Sequence, residues 1–352
     1  MPVGKARRNH PSRGPGGDGP PDFDVSGYAP LPRLTGLFIT GTDTEVGKTL
    51  VAGAIARALR QAGRTVEVFK PAATGCRRTR EGLISADAEF LAACADSRRT
   101  LAQINPVRYA SPLAPNVAAT REHRPVELEA IFDEYRRLAG AADVVLVEGI
   151  GGLLCPISDD FWVIHLAKLM RLPLVVVARA GLGTINHALL TLQVARAAGL
   201  RIAGVVVNRY RLEPPAQPCE PAVPMPGQSS AHGAGGAHDD SSGHALADPS
   251  SQATSSREQQ VARPTASSND PNRVCAQTTR VHAPRAAGHE DADLSMLTNP
   301  QQISELGKVK VLTLVPEESA NSVERATLGE NTLFAVSQVD WLALCGCPKQ
   351  RG

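Results

Sequence analysis

The chain has 352 residues, and its 37 Lys and Arg against 35 Asp and Glu leave a net charge of +2. That balance excludes recruitment of a nucleic acid or a membrane surface by bulk charge, so any anionic ligand must be held locally. Its length allows one large α/β core or two ordinary ones, and its 7 cysteines, odd in number and without paired spacing, argue against a secreted disulfide scaffold and for free, inert thiols in a reducing compartment.

Residues 1–33 are rich in Pro, Gly and charge and lack hydrophobic periodicity, so a disordered tail is expected there. This leader has no apolar core of a secretory signal, and its prolines and missing amphipathic stripe weigh against an organelle address. No uncharged apolar run reaches the ~18 residues of a membrane span. The expectation is a soluble cytoplasmic protein with no nucleic-acid or membrane partner.

Candidate strands lie at 37–40, 66–69, 144–147, 174–178, 202–207 and 309–315. Apolar residues recur at helical spacing over 48–61 (Leu50, Val51, Ile55, Leu59) and 186–198 (Leu189, Leu190, Val194). β-Branched runs alternating with helices predict an α/β fold, a mainly parallel sheet with helices on both faces. Between 213 and 292 the chain is poor in residues to bury, which predicts a low-complexity insertion in a surface loop. The expected organisation is therefore a tail (1–33), the first part of one domain (34–212), the insertion (213–292) and the remainder of the same domain (293–352).

Ligands of open parallel sheets bind beyond the carboxyl ends of the strands. Polar or glycine-rich segments stand directly after the predicted strands: Gly41-Thr42-Asp43-Thr44-Glu45, Lys70-Pro71, Glu148-Gly149-Ile150-Gly151-Gly152, Asn208 and Pro316-Glu317. "GTDTEVGKT" ends in Gly47-Lys48-Thr49 at a strand-to-helix junction, the setting of a P-loop NTPase. There, backbone N–H groups and a helix N-terminus hold phosphate, the lysine bridges β- and γ-phosphates, and the hydroxyl binds Mg²⁺. The glycine usual five residues before Gly47 is replaced by Thr42, with Gly41 one place earlier, and two acids sit in a loop suited to anions.

Such a site needs a second metal anchor, normally an acid at the end of a buried strand. Glu148 directly follows an apolar run, where an acid is costly without a counter-ion. The glycines of "EGIGG" could bring amides close to an anion. Lys70 faces phosphates if the strands are ordered as supposed, and otherwise is a snorkelling surface lysine. Asp87, two residues after Ser85, suits either a dipole-complementing first helical turn or a metal position, and Thr74-Gly75 either an anion-binding turn or an ordinary loop.

Taken together, "TGTDTEVGKT", "FKPAATG", "SADA", "VEGIGGLLCPI" and "INHALLTLQVARAAGLRIAGVVVN" resemble the dethiobiotin synthetase family of biotin biosynthesis. The likeness spans about 35–210 and, more loosely, 294–320. It implies a homodimeric P-loop α/β enzyme that closes 7,8-diaminopelargonate with CO2 to dethiobiotin, with ATP as cosubstrate and Mg²⁺ as cofactor. A substrate carbamate takes the γ-phosphoryl group, and the second amine then displaces phosphate.

By the same resemblance Lys70, Lys48 and Thr44 are catalytic and Thr74 and Glu45 bind substrate, Thr74 standing where serine is usual. Thr49, Asp87 and Glu148 take the metal positions. ATP contacts are expected from Glu45, Val46, Gly47, Lys48, Thr49, Leu50, Asp87, Glu148, Gly149, Ile150, Gly151, Asn208, Arg209, Val315, Pro316 and Glu317, with Asn208 reading the adenine edge. "SPLAPNVAA" resembles a substrate-side loop in which histidine is frequent at the place of Asn116, and His187 belongs to the family pattern as a packed residue.

Two other functions share parts of this pattern. A P-loop amidoligase or phosphoacyl-transfer relative would have the loop and a Glu148-type acid but not the "KPAATG" and "SADA" pair. A partitioning-type ATPase usually carries an additional lysine in the loop, where this chain has Asp43 and Glu45.

Overall fold

The computed structural model describes residues 23–211 and 294–346. The tail before residue 23 and the insertion expected at 213–292 lie outside the described residues. In chain order the elements are β1 (Gly36–Gly41), α1 (Lys48–Gln61), β2 (Val66–Phe69), β3 (Ala72–Ala73), β4 (Arg77–Thr79), β5 (Gly82–Ile84), α2 (Ala86–Ala95), α3 (Leu101–Ile104), β6 (Val107–Arg108), α4 (Pro115–Arg121), α5 (Leu128–Arg136), β7 (Val144–Glu148), α6 (Val163–Met170), β8 (Leu174–Arg179), α7 (Thr184–Ala197), β9 (Ile202–Tyr210), α8 (Ser295–Gly307), β10 (Val311–Pro316), α9 (Glu330–Ser337) and α10 (Trp341–Cys345).

The predicted strands become the 6-stranded sheet, in the order β10-β9-β8-β1-β7-β2, with every neighbouring pair parallel. Alternate residues face opposite cores. Leu37, Ile39, Val144, Leu146, Val175 and Val177 pack under α1, α2 and α9; Phe38, Val145, Val147, Leu174 and Val176 pack under α5, α6 and α7. Both faces are covered, which is why these strands read as continuous apolar runs rather than as alternation. The pairs β3–β6 and β4–β5 were not predicted; each strand is too short to show a period.

β1 lies between β7 and β8. The chain moves from β1 to β2 and β7 on one side, then to β8, β9 and β10 on the other, which opens a crevice at the carboxyl ends of the central strands. The loop 41–47 leaves β1 at that switch point.

The expected tail boundary at residue 33 is corrected. Phe23, Val25, Tyr28 and Leu34 pack on the α5–α6 core and Leu31 is buried in it. Tyr28 meets Phe161 edge-on at 5.1 Å and Phe132 at 6.0 Å between ring centroids. An irregular strap carries no period, so its apolar residues do not announce themselves as an element.

Among the described residues no helix is long and apolar enough to cross a membrane. Cys76 and Cys94 are buried; burial raises both thiols, Cys94 to about 11, so neither is a thiolate at neutral pH.

Candidate active site

Residues 42–47 turn over the tip of β1, and α1 then starts at Lys48. The Asp43 carboxylate accepts the Thr44 N–H at 2.7 Å, a local bond of the kind Asp favours in turns. Its carbonyl accepts Lys48 Nζ, also at 2.7 Å. Asp43 thus shapes the loop and aims the lysine. A Cβ on Gly41 would lie 2.8 Å from the Asp43 carbonyl oxygen and 3.0 Å from Lys48 Nζ, so the displaced glycine leaves room for this return. Glu45 has a left-handed φ of 56°.

Gly47 caps α1 at φ 90°. Asn208, at the end of β9, donates Nδ2 to the Val46 carbonyl at 2.9 Å, and a Cβ on Gly47 would lie 1.9 Å from that nitrogen. Asn208 is buried and its Oδ1 meets no donor. One half of the amide fastens the loop while the other remains an acceptor.

Beyond the loop lies a cluster of opposite charges. Lys70 follows β2, the edge strand beside β7, and its Nζ lies 2.5 Å from Glu148 Oε1 and 2.8 Å from Asp87 Oδ2. Thr49 Oγ1 donates to Glu148 Oε1 at 2.8 Å. Each partner is delivered by a local rule. Glu148 occupies the β7 position facing α1, two residues after Leu146. Asp87 is placed in the first turn of α2 because the Ser85 side chain accepts Ala88 N–H and caps that helix.

Lys70 is not the snorkelling surface lysine that was the alternative to a cleft-facing strand tip: it is 3% exposed and Glu148 1%. Burial opposes the charge on Lys70, but Asp87 and Glu148 outweigh it and hold its pKa above the usual lysine range. Asp87 is likewise pushed up by burial, yet Lys70 and the Thr49 hydroxyl hold it below the usual carboxylate range. Lys48 is lowered to about 8, by burial first and by Lys70 second.

The Lys70 backbone is gripped as well. Its N–H donates to Ile104 O at 2.8 Å and its carbonyl accepts Asn105 Nδ2 at 2.7 Å, a nitrogen that also reaches Val107 O. Asn105 had no sequence signal, because its role exists only once α3 and β6 lie beside β2. Asn105→Ala is expected to leave these carbonyls short of a donor at a cost of about 1–3 kcal/mol, with a lower turnover number; denaturant unfolding and steady-state kinetics check both.

Gly47, Lys48, Thr49, Lys70, Asp87, Glu148 and Asn208 line a cavity of about 850 Å³ with Thr44, Glu45, Leu50, Thr74, Ile150, Gly151, Arg209, Pro316 and Glu317. Its far wall is the loop after β10, with Glu318, Asn321, Ser322, Val323 and Glu324. Glu318 anchors that loop to the start of α9, accepting from the Asn331 and Thr332 N–H groups, Asn331 Nδ2 and the Thr332 hydroxyl. Burial raises its pKa, but these donors, Thr332 foremost, hold the carboxyl below the usual range.

A carboxyl whose folded pKa is depressed stabilises above its unfolded pKa and loses that contribution as pH falls through the folded value. Glu318→Gln is therefore expected to destabilise by about 1–3 kcal/mol at neutral pH, with the gap to wild type closing as pH falls below the usual carboxylate range. Denaturant midpoints measured from pH 7 down to the acid limit check this.

A family model described as an AAA domain matches residues 35–325. Among solved structures, the septum site-determining protein MinD of Pyrococcus horikoshii superposes with a TM-score of 0.41 at 13% identity, covering 89% of this chain and 94% of that one. The ATP-dependent dethiobiotin synthetase BioD of Bacillus subtilis subsp. natto is 37% identical over 175 residues, 50% of this chain and 74% of that protein. The corresponding protein of Anaeromyxobacter sp. (strain Fw109-5) is 43% identical over 190 residues, 54% of this chain and 83% of that protein. The chain belongs to the ATP-dependent dethiobiotin synthetase family. It is an ATP-dependent ligase of that family.

Against the expectations for a dethiobiotin synthetase, the structure brings most candidate residues to one cavity and sets three behind it. Val46 is buried with its carbonyl held by Asn208, Gly149 donates to Ile39 O, and Val315 is buried in β10 beside Asn208. None of the three is among the cavity-lining residues, so they support the wall rather than form it. Asn116, in the segment expected to face substrate, lies in the first turn of α4 and lines a separate depression of about 390 Å³ with Thr120, His123, Arg124 and Asp159. Residues 318–324 were missed, although a polar loop directly after the last strand was the signal that the strand-end rule uses.

Proposed function

We propose that this synthetase catalyses the ATP- and Mg²⁺-dependent closure of 7,8-diaminopelargonate with CO2 to dethiobiotin. The observation that carries the reading is the convergence of Lys48, Lys70, Thr49, Asp87 and Glu148 on one cleft at the switch point of a P-loop sheet. Thr49, Asp87 and Glu148 would hold Mg²⁺. Their donor set, one hydroxyl and two carboxylates, suits an ion that keeps several waters and takes one or two carboxylates plus phosphates. The buried Glu148 Oε2, which meets no donor, fits the same assignment. When bound, the ion supplies charge neutralisation at the phosphates.

The reaction joins two anions. One substrate amine and CO2 form a carbamate, a carbamate oxygen attacks the γ-phosphorus with ADP leaving, and the second amine attacks the resulting mixed anhydride with phosphate leaving. Fixed positive charge at the meeting point lowers that barrier. Lys70 suits this task because a lysine beside anions stays protonated, a charge and donor rather than a base. Lys48 and the amides at the start of α1 would hold the β- and γ-phosphates. Glu45 at the mouth and the Thr74 hydroxyl would receive the diamine, while Asn208 Oδ1 would accept from the adenine amino group.

We further read the protein as cytoplasmic and as a homodimer; exposed apolar side chains on α7 and α8, such as Leu190 and Leu297, support the dimer alone, and light scattering checks it. Incubation of the pure protein with ATP, Mg²⁺, bicarbonate and 7,8-diaminopelargonate, with detection of dethiobiotin by mass, tests the function. A folded protein that forms no product overturns it.

A further inference from the structure

The carboxylates of Asp87 and Glu148 come from different elements, α2 and β7, and a single ammonium group joins them. Lys70 Nζ stands 2.8 Å from one and 2.5 Å from the other, and Thr49 Oγ1 donates to the same Glu148 oxygen. The ammonium therefore bridges the two carboxylates assigned to the nucleotide's cation and shares Glu148 Oε1 with the Thr49 hydroxyl. Lys48 and Lys70 together balance Asp87 and Glu148. A bare divalent cation entering this neutral, largely buried cluster would add uncompensated charge beside two lysines, whereas one arriving with a triphosphate brings its own anion.

We propose that Lys70 is the resident counter-ion of the nucleotide-free site: it holds Asp87 and Glu148 together, keeps the bare cation out, and is released toward the reacting anions only when cation and triphosphate arrive together. The inference rests on the reading that Thr49, Asp87 and Glu148 receive the nucleotide's cation. Because the Lys70 backbone is fixed by Ile104 and Asn105, only the side chain has to move. The same lysine would then couple nucleotide loading to formation of the catalytic arrangement.

The test is Mn²⁺ binding to the nucleotide-free protein, followed by electron paramagnetic resonance, with melting temperatures measured with and without Mn²⁺. Wild type and Lys70→Arg, which keeps the charge, are expected to bind Mn²⁺ at least about tenfold more weakly than Lys70→Met. Mn²⁺ is expected to raise the melting temperature of Lys70→Met alone, because it then binds the folded state selectively. Equal Mn²⁺ affinities of wild type and Lys70→Met overturn the proposal.

Should Lys70→Met fail to fold in either condition, wild type decides. Mn²⁺ bound as tightly without nucleotide as with a non-hydrolysable ATP analogue overturns the proposal; tight binding only with the analogue supports it. Dethiobiotin formation is assayed separately. Loss of product with the Mn²⁺ pattern intact counts against the function alone, and product with equal Mn²⁺ affinities counts against this inference alone.

Discussion

Lys70→Ala is expected to reduce dethiobiotin formation by roughly 10³-fold or more, the range seen when a single charge-stabilising group is removed from an acyl- or phosphoryl-transfer site. The loss should appear in kcat, because the ammonium acts where negative charge gathers in the transition state. The same substitution should also lower stability, since it strands Glu148, 1% exposed, without its cation. Breaking a buried pair from one side typically costs about 3–5 kcal/mol. Lys70→Arg separates the two effects. It retains a cation for Glu148 and should recover much of the stability, yet its wider, planar group does not reproduce a point charge held between two carboxylates. Turnover measured by mass and denaturant unfolding of both variants check this; a Lys70→Ala enzyme within tenfold of wild type would remove the lysine from the chemistry.

Gly47→Ala is expected to weaken ATP binding by on the order of 100-fold, with roughly 1.4 kcal/mol for each factor of ten. Two strains add. The position has φ 90°, which costs a residue with a side chain of order 1–3 kcal/mol, and the new methyl would lie 1.9 Å from Asn208 Nδ2. Relief of the second strain displaces the amide that fastens Val46, so the loop loses its grip on β9. Titration calorimetry of ATP binding measures the effect, and a double-mutant cycle apportions it. If the collision dominates, Asn208→Ala partly rescues Gly47→Ala; if the backbone conformation dominates, the two losses add.

The legibility of this chain followed the range of its signals. The six main strands and α1 were readable because buried parallel strands are continuous apolar runs, and a helix that starts at Gly47-Lys48-Thr49 carries its own N-terminal chemistry. Glu148 was readable as an acid closing such a run. The strap at 23–34 was not, because contact with Phe132 and Phe161 is a property of the assembled core. Asn105 and Glu318 were not, because both act by binding backbone groups distant in sequence.

The amino-acid order by itself determined the strands, the phosphate loop, the acid at the end of β7 and the family, since each depends on residue types at short spacing. Tertiary structure alone decided what those residues do to one another. It turned Asp43 from an anomaly into the brace of the loop, fastened that loop to β9 through Asn208, and closed Asp87 and Glu148 around Lys70. Those outcomes depend on β2 lying beside β7, β7 beside β1 and α2 against α1, and the electrostatics of a cluster depend on distance in space, not separation along the chain.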